Sequence, residues 1–232
     1  MSKDDKQGEA QVIEFFSRYI ARRLEKQLGE GEHYTFANFS GSQDRRFGDV
    51  FCGTKSTNIL IEFKEFRTER RAETKKPLRQ KLCTRLTKSI SLLSRRCHFV
   101  GWDKNEANMR LEFSPYIDTV CPLFTFLTPK RLLKAEEFTE HRDFSSQFLE
   151  GKLGVSHQDF ALYIKELNDI AGGKEDGEDV KFKSFLYSLD EYGDVKATKF
   201  NSLKELKELR TLINKKEKEL KNKRQSTMNF GM

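Results

Sequence analysis

The apolar positions near the start of the chain recur with helical spacing. Val12, Phe16, Ile20 and Leu24 are four residues apart, which places their side chains on one side of a helix. We therefore expect an amphipathic helix between Gly8 and Leu24 that buries this side against the rest of the protein.

Two short apolar runs farther along the chain predict a β-hairpin. They cover residues 49–52 and 58–63, and the polar stretch between them contains Gly53, which favours a turn. A symmetric register would place Asp49 directly opposite Glu62. The lysine two residues after Glu62 would then point to the same face, because side chains alternate along a strand.

The rest of the pattern alternates between extended and helical segments. We expect further strands at 33–39, 98–102, 109–117, 121–127, 180–189 and 195–200. We expect further helices at 77–97, from 128 towards 137, from Ser156 to 167, and from Ser202, where the helix becomes a basic, flexible tail after residue 220.

This alternation predicts an α/β fold, with a mixed central β-sheet flanked by helices, a C-terminal α/β extension and a terminal basic helix. We divide the chain into a core at 1–150, an accessory α/β extension at 151–200 that packs on the core, and a basic helix with a flexible tail at 201–232.

The composition indicates a folded protein with a charged exterior. The 232 residues include 20 Phe, and 34% of them are charged, whereas a disordered chain would be poor in aromatic residues. No apolar run approaches the roughly 18 residues that span a bilayer, and Met1–Gln7 has no apolar signal region. We therefore expect a soluble, cytoplasmic and nucleoid-associated protein with no membrane partner.

The four cysteines show neither a C-x-x-C pair nor a zinc-like spacing with histidine. In a reducing compartment we expect them to be buried thiols. They are Cys52, Cys83, Cys97 and Cys121.

The positive charge is segregated into two segments. Residues 63–97 contain 12 basic and 3 acidic side chains, and residues 201–232 contain 9 basic and 4 acidic ones, whereas the whole chain has a net charge of only +7. Segregated positive charge is typical of proteins that bind a polyanion. It favours nucleic acid as the partner.

The predicted hairpin places unusual chemistry on one face of the sheet. Carboxylates of Asp49 and Glu62 about 5 Å apart would repel each other by about 3 kcal/mol at an effective dielectric near 20. A divalent cation between them would remove this repulsion. Lys64 beside the pair could then orient or deprotonate a water, or neutralise charge that develops on a phosphate.

These residues resemble the motif of the PD-(D/E)XK nuclease superfamily. Gly48-Asp49, twelve residues, and then Glu62-Phe63-Lys64 are similar to the acid on one strand and the E-x-K on the next. Glycine stands here in place of the motif's proline. The order of helix, acidic hairpin, basic helix and strand over about residues 8–102 also resembles the family's α-β-β-α-β core.

The resemblance implies a restriction-endonuclease-like core and a metal-dependent deoxyribonuclease. Asp49 and Glu62 would bind Mg²⁺ (or Mn²⁺), and Lys64 would assist the attacking water. The family commonly adds a glutamate from the first helix; Glu9 follows a glycine as in resolvase-like members, and Glu14 is the alternative. The enzyme would be an endonuclease that acts in repair, recombination, mobile elements or phage defence.

The predicted helix at 77–97 carries basic side chains opposite its apolar stripe. Such residues would neutralise DNA phosphates without reading the base sequence. They include Arg79, Lys81, Arg85 and Lys88.

The end of the chain resembles the peptide by which bacterial DNA proteins bind the sliding clamp. Met228 and Phe230 would enter an apolar pocket, and Gln225 would supply hydrogen bonds. The alternative is a frayed tail without a partner.

The sequence is also consistent with two other functions. One is a non-catalytic nucleic-acid-binding adaptor on the same fold, which docks to a replication or defence partner. The other is a structural protein that uses the 203–220 helix to associate, although Lys216 at a core position disfavours a coiled coil. A homodimer is also expected if both DNA strands are cut.

Overall fold

The computed structural model describes residues 3–29, 31–124 and 129–229. Its centre is a single mixed β-sheet. The strands are β1 (His33–Asn38), β2 (Val50–Gly53), β3 (Asn58–Phe66), β4 (His98–Asp103), β5 (Leu111–Pro115), β6 (Thr139–Glu140), β7 (Lys181–Leu189) and β8 (Val195–Ser202). They lie in the order β6-β5-β4-β3-β2-β1-β7-β8.

Helices pack on both faces of this sheet. They are α1 (Lys3–Glu25), α2 (Ser42–Phe47), α3 (Pro77–Thr84), α4 (Lys88–Cys97), α5 (Tyr116–Val120), α6 (His141–Leu149), α7 (His157–Ile170) and α8 (Leu203–Asn229). Three 3₁₀ segments complete the fold, at Arg67–Lys75, Cys121–Leu123 and Lys130–Leu132. The predicted α/β class, with a mixed sheet flanked by helices, is confirmed.

The connections make the sheet mixed. Strands β1, β2 and β3 form an antiparallel meander, whereas β4 returns parallel to β3 after the crossover through α3 and α4. The β7–β8 hairpin adds to β1 and extends the same sheet. The C-terminal segment therefore continues the central sheet instead of forming a sheet of its own.

The predicted hairpin has the expected symmetric register. Val50 pairs with Ile61, and Cys52 pairs with Ile59. The turn is closed by a hydrogen bond from the Thr54 N–H to the Thr57 carbonyl at 2.8 Å.

Two apolar cores cover the two faces of the sheet. On one face, the stripe of α1 that includes Phe16 packs with Ile61 and with Phe144 of α6. On the other face, Phe51 and Leu60 pack with α3, α4, α5, α7 and the start of α8. The alternation of strand side chains sends neighbouring residues to opposite cores.

The prediction of a single helix at 77–97 is wrong, because this segment forms two helices. α3 ends at Thr84, and α4 begins at Lys88 after an N-cap at Thr87, whose hydroxyl accepts from the N–H of Ile90 at 3.1 Å. A capping threonine stabilises a new helix start, so the apolar spacing continues across a break in the backbone.

The segment after β4 also differs from its prediction. The expected strand at 109–117 ends at Pro115, and a buried helix follows it from Tyr116. A 3₁₀ turn at Cys121–Leu123 replaces the start of the expected strand at 121–127, and Lys130–Leu132 forms only a 3₁₀ turn where a longer helix was expected. The segment that starts at Tyr116 is buried along its whole length, so no exposed side gives a periodicity that separates helix from strand.

The expectation of four buried thiols is wrong for two of the cysteines. Cys83 of α3 and Cys121, just after α5, form a disulfide, whereas Cys52 and Cys97 are free and buried. The two cysteines are 38 positions apart in sequence, so no short spacing motif could indicate their pairing.

The final helix is longer than its pattern predicted. Its start is confirmed, since the hydroxyl of Ser202 accepts from the N–H of Glu205 at 3.2 Å. The backbone, however, stays helical to Asn229, where an extended tail was expected. Among the described residues, no helix combines the length and the apolar character that crossing a membrane requires.

Candidate active site

The start of β2 and the middle of β3 bring two carboxylates together. Asp49 lies just before β2, and its N–H donates to the carbonyl of Ile61 at 2.9 Å, the residue that Val50 also faces in the paired register. Carboxylate oxygens of Asp49 and Glu62 consequently lie within 4.8 Å of each other. The predicted juxtaposition is confirmed, while the chemical roles of the two residues stay predictions.

Gly48 allows this close approach. Its φ is 135°, a conformation that favours glycine, and a Cβ atom there would lie 3.1 Å from the carbonyl oxygen of Ile61. Proline, with φ fixed near −65°, could not adopt this conformation. The glycine therefore allows a backbone conformation beside β3 that a proline at position 48 would not.

Asp49 is held in an environment that disfavours its charge. The side chain is 7% exposed, and its Oδ2 accepts from the N–H of Phe63 at 2.5 Å. Burial, and then the neighbouring carboxylate of Glu62, raise the pKa of Asp49 well above its usual range, although the Lys64 ammonium acts in the opposite direction.

Three cationic side chains donate hydrogen bonds to the carboxylate of Glu62. Its Oε1 accepts from Lys64 at 2.9 Å and from Lys76 at 2.7 Å, and its Oε2 accepts from Arg79 at 3.1 Å. Burial alone would raise the pKa of Glu62, but these three cations hold it well below its usual range. Glu62 is therefore a fully buried carboxylate that stays ionised.

Lys64 links the first helix to the sheet. Its Nζ lies 2.9 Å from Glu62, 3.2 Å from Oε2 of Glu9 and 3.4 Å from Oε1 of Glu73. Burial would lower the pKa of Lys64, but the surrounding carboxylates raise it well above its usual range. The ammonium form is favoured, which supports a charge-neutralising role more than a role as a base.

The structure separates the two candidate glutamates of α1. Glu9 reaches the site through Lys64, and burial raises its pKa against the opposing effect of the Lys64 charge. Glu14 is 60% exposed and pairs with Arg18 on the surface of the helix. Geometry thus brings Glu9 to the acidic site and leaves Glu14 outside it.

Three residues of the site were not singled out from the sequence. Asp44 of α2 offers a carboxylate oxygen within 4.8 Å of those of Asp49 and Glu62. Glu73, from the 3₁₀ segment, is fully buried and accepts from the hydroxyl of Tyr116 at 2.8 Å. Lys76 bridges Glu62 and Glu73, at 2.7 Å from each.

The signal for these residues was weak in the sequence. Asp44 lies in a polar loop before the motif, and Glu73 and Lys76 lie in a charged run without periodicity. The 3₁₀ turn that folds this run back over β3 depends on tertiary contacts, so no local pattern could indicate it.

The expectation that Arg79 faces DNA is wrong for this structure. Arg79 is 1% exposed, and it donates to Glu62 and to the carbonyl of Arg46. Its guanidinium also lies 5.4 Å from the ring centre of Tyr116. The other three basic residues of the predicted DNA-binding set, Lys81, Arg85 and Lys88, are exposed.

The predicted clamp-binding residues lie at or just beyond the end of the described part of the chain. Phe230 lies outside the described residues, and the backbone of Gln225 and Met228 belongs to the last turns of α8. Their partner stays a prediction.

The donor set of the acidic site fits a divalent cation. Asp44, Asp49 and Glu62 supply carboxylate oxygens, the ligands that Mg²⁺ and Mn²⁺ prefer. Burial, and then the neighbouring Glu62, disfavour the negative charge of Asp49. A cation at these oxygens would offset that charge, whereas Glu62 is already neutralised by protein groups.

Comparison of the chain with models of known protein families, with curated proteins and with solved structures gives no match.

Proposed function

We propose that the protein is a metal-dependent nuclease that hydrolyses phosphodiester bonds in DNA. The observation that carries the proposal is the buried Asp49–Glu62 pair on adjacent strands, with Lys64 2.9 Å from Glu62. The order of α1, the β2–β3 hairpin, the crossover helices and parallel β4 supports a PD-(D/E)XK-like core. The restriction-endonuclease-like core is part of this proposal.

The residues of the site would have different roles in hydrolysis. Asp49, Glu62 and Asp44 would hold Mg²⁺ or Mn²⁺, which when bound supplies Lewis acidity and favours ionisation of water. Lys64, as an ammonium, can donate a hydrogen bond to a phosphate oxygen and offset charge that develops there. Glu9 fixes the position of Lys64 from the opposite side, at 3.2 Å.

The exposed basic residues supply the attraction for DNA. Lys81 and Arg85, at the end of α3, and Lys88, at the start of α4, lie on the solvent side of the crossover. They would neutralise backbone phosphates, and the affinity would fall as salt rises.

The test is cleavage of supercoiled plasmid and linear duplex DNA with Mg²⁺, with Mn²⁺ or with EDTA. We expect metal-dependent cleavage that Asp49→Ala and Lys64→Ala each reduce by at least about a hundredfold. Glu9→Gln and Glu14→Gln form a matched pair, because both remove one charge from α1. Only Glu9→Gln should lower the rate. Plasmid nicking would identify an endonuclease.

One observation favours the alternative of a non-catalytic adaptor on the same fold. The cations Lys64, Lys76 and Arg79 already neutralise Glu62, so this buried carboxylate does not require a metal for the chain to fold. A protein that binds DNA in EDTA, and neither cleaves it nor responds to Mg²⁺, would be assigned to this alternative.

A further inference from the structure

The outer part of the sheet carries an exposed aromatic surface. On β7, Phe182 and Leu186 point into the core below α7 and α8, so Phe185 and Tyr187 point to the opposite face. Phe185 is 44% exposed, a high value for a phenylalanine in the middle of a strand. The face is therefore only partly covered by the protein itself.

Four rings form a two-by-two array on this face. Phe185 lies directly opposite Phe36 of β1, and Tyr187 lies opposite Tyr34. The rings of Tyr34 and Tyr187 are stacked, with centres 4.7 Å apart, and the ring of Phe185 lies 6.4 Å from that of Tyr187. Tyr34 is buried and Tyr187 is half-buried, so the exposed ring of Phe185 lies beside a stacked pair that is partly covered.

Lysines border the platform on one side. Lys199 of β8 lies directly opposite Phe185, and Lys181 and Lys183 precede Phe185 on the same face of β7. All three are exposed, and none of them forms an ion pair within the described part of the chain. The acidic residues of the β7–β8 turn, such as Asp190, lie at the far end of the strands.

Aromatic rings beside unpaired lysines on a sheet are suited to single-stranded nucleic acid. Unpaired bases can stack on the rings, whereas in a duplex the bases stack on each other, and the lysines can pair with phosphates. A purely apolar partner would leave these ammonium groups without compensation. We propose that the face formed by Phe36, Phe185, Tyr187 and Lys199 binds single-stranded nucleic acid.

The platform and the acidic site lie on opposite faces of the sheet, since Asp49 and Glu62 share the face of Phe51 and Leu60. Near the basic end of the platform, the backbone of β7 contacts α2. The N–H of Lys183 donates to Oε1 of Gln43 at 2.9 Å, and the next residue of α2 is Asp44. Strand β7 lies three strands from β3, which corresponds to about 14 Å. Binding to the platform is therefore independent of the proposed function.

The test is fluorescence anisotropy of a labelled ten-residue oligothymidylate with the full chain in EDTA, where cleavage plays no part. We expect Phe185→Ala to weaken binding at least fivefold, because one base–aromatic stack is lost. Phe185→Leu, which keeps apolar area without a ring, should weaken it as well. Tyr192→Ala is the control, since Tyr192 is 82% exposed in the turn, and it should leave binding unchanged.

A matched lysine pair tests the charge. Lys199 and Lys196 lie on the same strand but on opposite faces. Lys199→Gln should weaken binding and make its salt dependence shallower by about 0.7 in the log–log slope, and Lys196→Gln should do neither. Oligouridylate of the same length compares RNA with DNA, and tighter binding of either one supports the platform.

Two outcomes would overturn the inference. One is unchanged oligothymidylate binding in Phe185→Ala, or equal losses in Lys199→Gln and Lys196→Gln. The other is a wild-type dimer in sedimentation that Phe185→Ala converts to monomers, which would assign the face to a second copy of the chain. Because EDTA removes cleavage, a failure of the nuclease proposal leaves this test intact, and the reverse also holds.

Discussion

The guanidinium of Arg79 lies 3.1 Å from the carboxylate of Glu62, and both side chains are almost completely buried. Arg79 also lies 3.5 Å from Glu73. The repulsion expected between Asp49 and Glu62 is therefore reduced by a cation of the protein. Paired carboxylates on a hairpin do not by themselves require a metal, and the proposal of a nuclease depends on how Asp49 responds to one.

Removal of Arg79 should strongly destabilise the protein. Arg79→Met would leave Glu62 and Glu73 buried with less compensating charge, and breaking a buried ion pair from one side costs about 3–5 kcal/mol. Urea denaturation measures the loss in the free energy of unfolding. Arg85→Met is the control, because Arg85 is exposed at the end of the same helix and should change stability by less than about 0.5 kcal/mol. Equal effects would contradict the ion-pair network.

His98 should make the protein sensitive to acid. Burial, with the nearby charge of Arg79, lowers the pKa of His98 to about 3, and its Nδ1 lies 2.8 Å from the Tyr163 hydroxyl. Between pH 3 and about 6.5 the unfolded chain binds a proton that the folded protein does not, so stability falls as pH falls through this window.

The measurement is the free energy of unfolding at several values between pH 4 and 7, for wild type and His98→Phe. The phenylalanine keeps a ring against Tyr116, which stacks on His98. The slope for the variant should be shallower by about 1.4 kcal/mol per pH unit. The buried His33 and His157, each with a pKa lowered to about 4, contribute to both proteins. Identical slopes for wild type and His98→Phe would contradict a buried, uncharged His98 in the folded protein.

The disulfide between Cys83 and Cys121 should stabilise the protein only under oxidising conditions. It connects the helix that carries Arg79 with the segment after α5, and it closes a loop of 38 positions. Cys83→Ser should lower the free energy of unfolding by about 2–4 kcal/mol without reductant, and by less in dithiothreitol. Titration of thiols in denaturant should find two in the unreduced wild type. Four thiols would contradict the pairing.

The sequence predicted the local part of the site but not its surroundings. The register of the hairpin follows from two apolar runs and one turn, so the position of Asp49 beside Glu62 could be derived. The partners of Glu62 could not. Lys76 lay in a charged run without periodicity. Arg79 was expected to face DNA, because helical spacing alone does not show that the polar side of α3 turns towards β3.

The same limit applies to the fold. Elements with clear amphipathic spacing, such as α1 and α7, are confirmed, although α1 begins five residues before its predicted start and α7 ends three residues after its predicted end. Tyr116–Val120 is buried along its whole length, its polar residues Asp118 and Thr119 included, so no exposed side sets a period and packing decides the structure. The spacing of Phe144 and Phe148 in the unpredicted α6 was the one available signal there.

Asp49 provides the sharpest test of the metal, because burial and the neighbouring Glu62 disfavour its negative charge. In EDTA, Asp49→Asn should be more stable than wild type by on the order of 1 kcal/mol, since a buried negative charge is removed beside Glu62. Mg²⁺ at about a hundred times its dissociation constant should stabilise wild type by about 2.7 kcal/mol and the variant far less. Asp143→Asn, at an exposed position of α6, should behave as wild type in both buffers. If Mg²⁺ leaves the thermal unfolding of wild type unchanged, Asp49 and Glu62 do not form a metal site. The non-catalytic adaptor then becomes the favoured function.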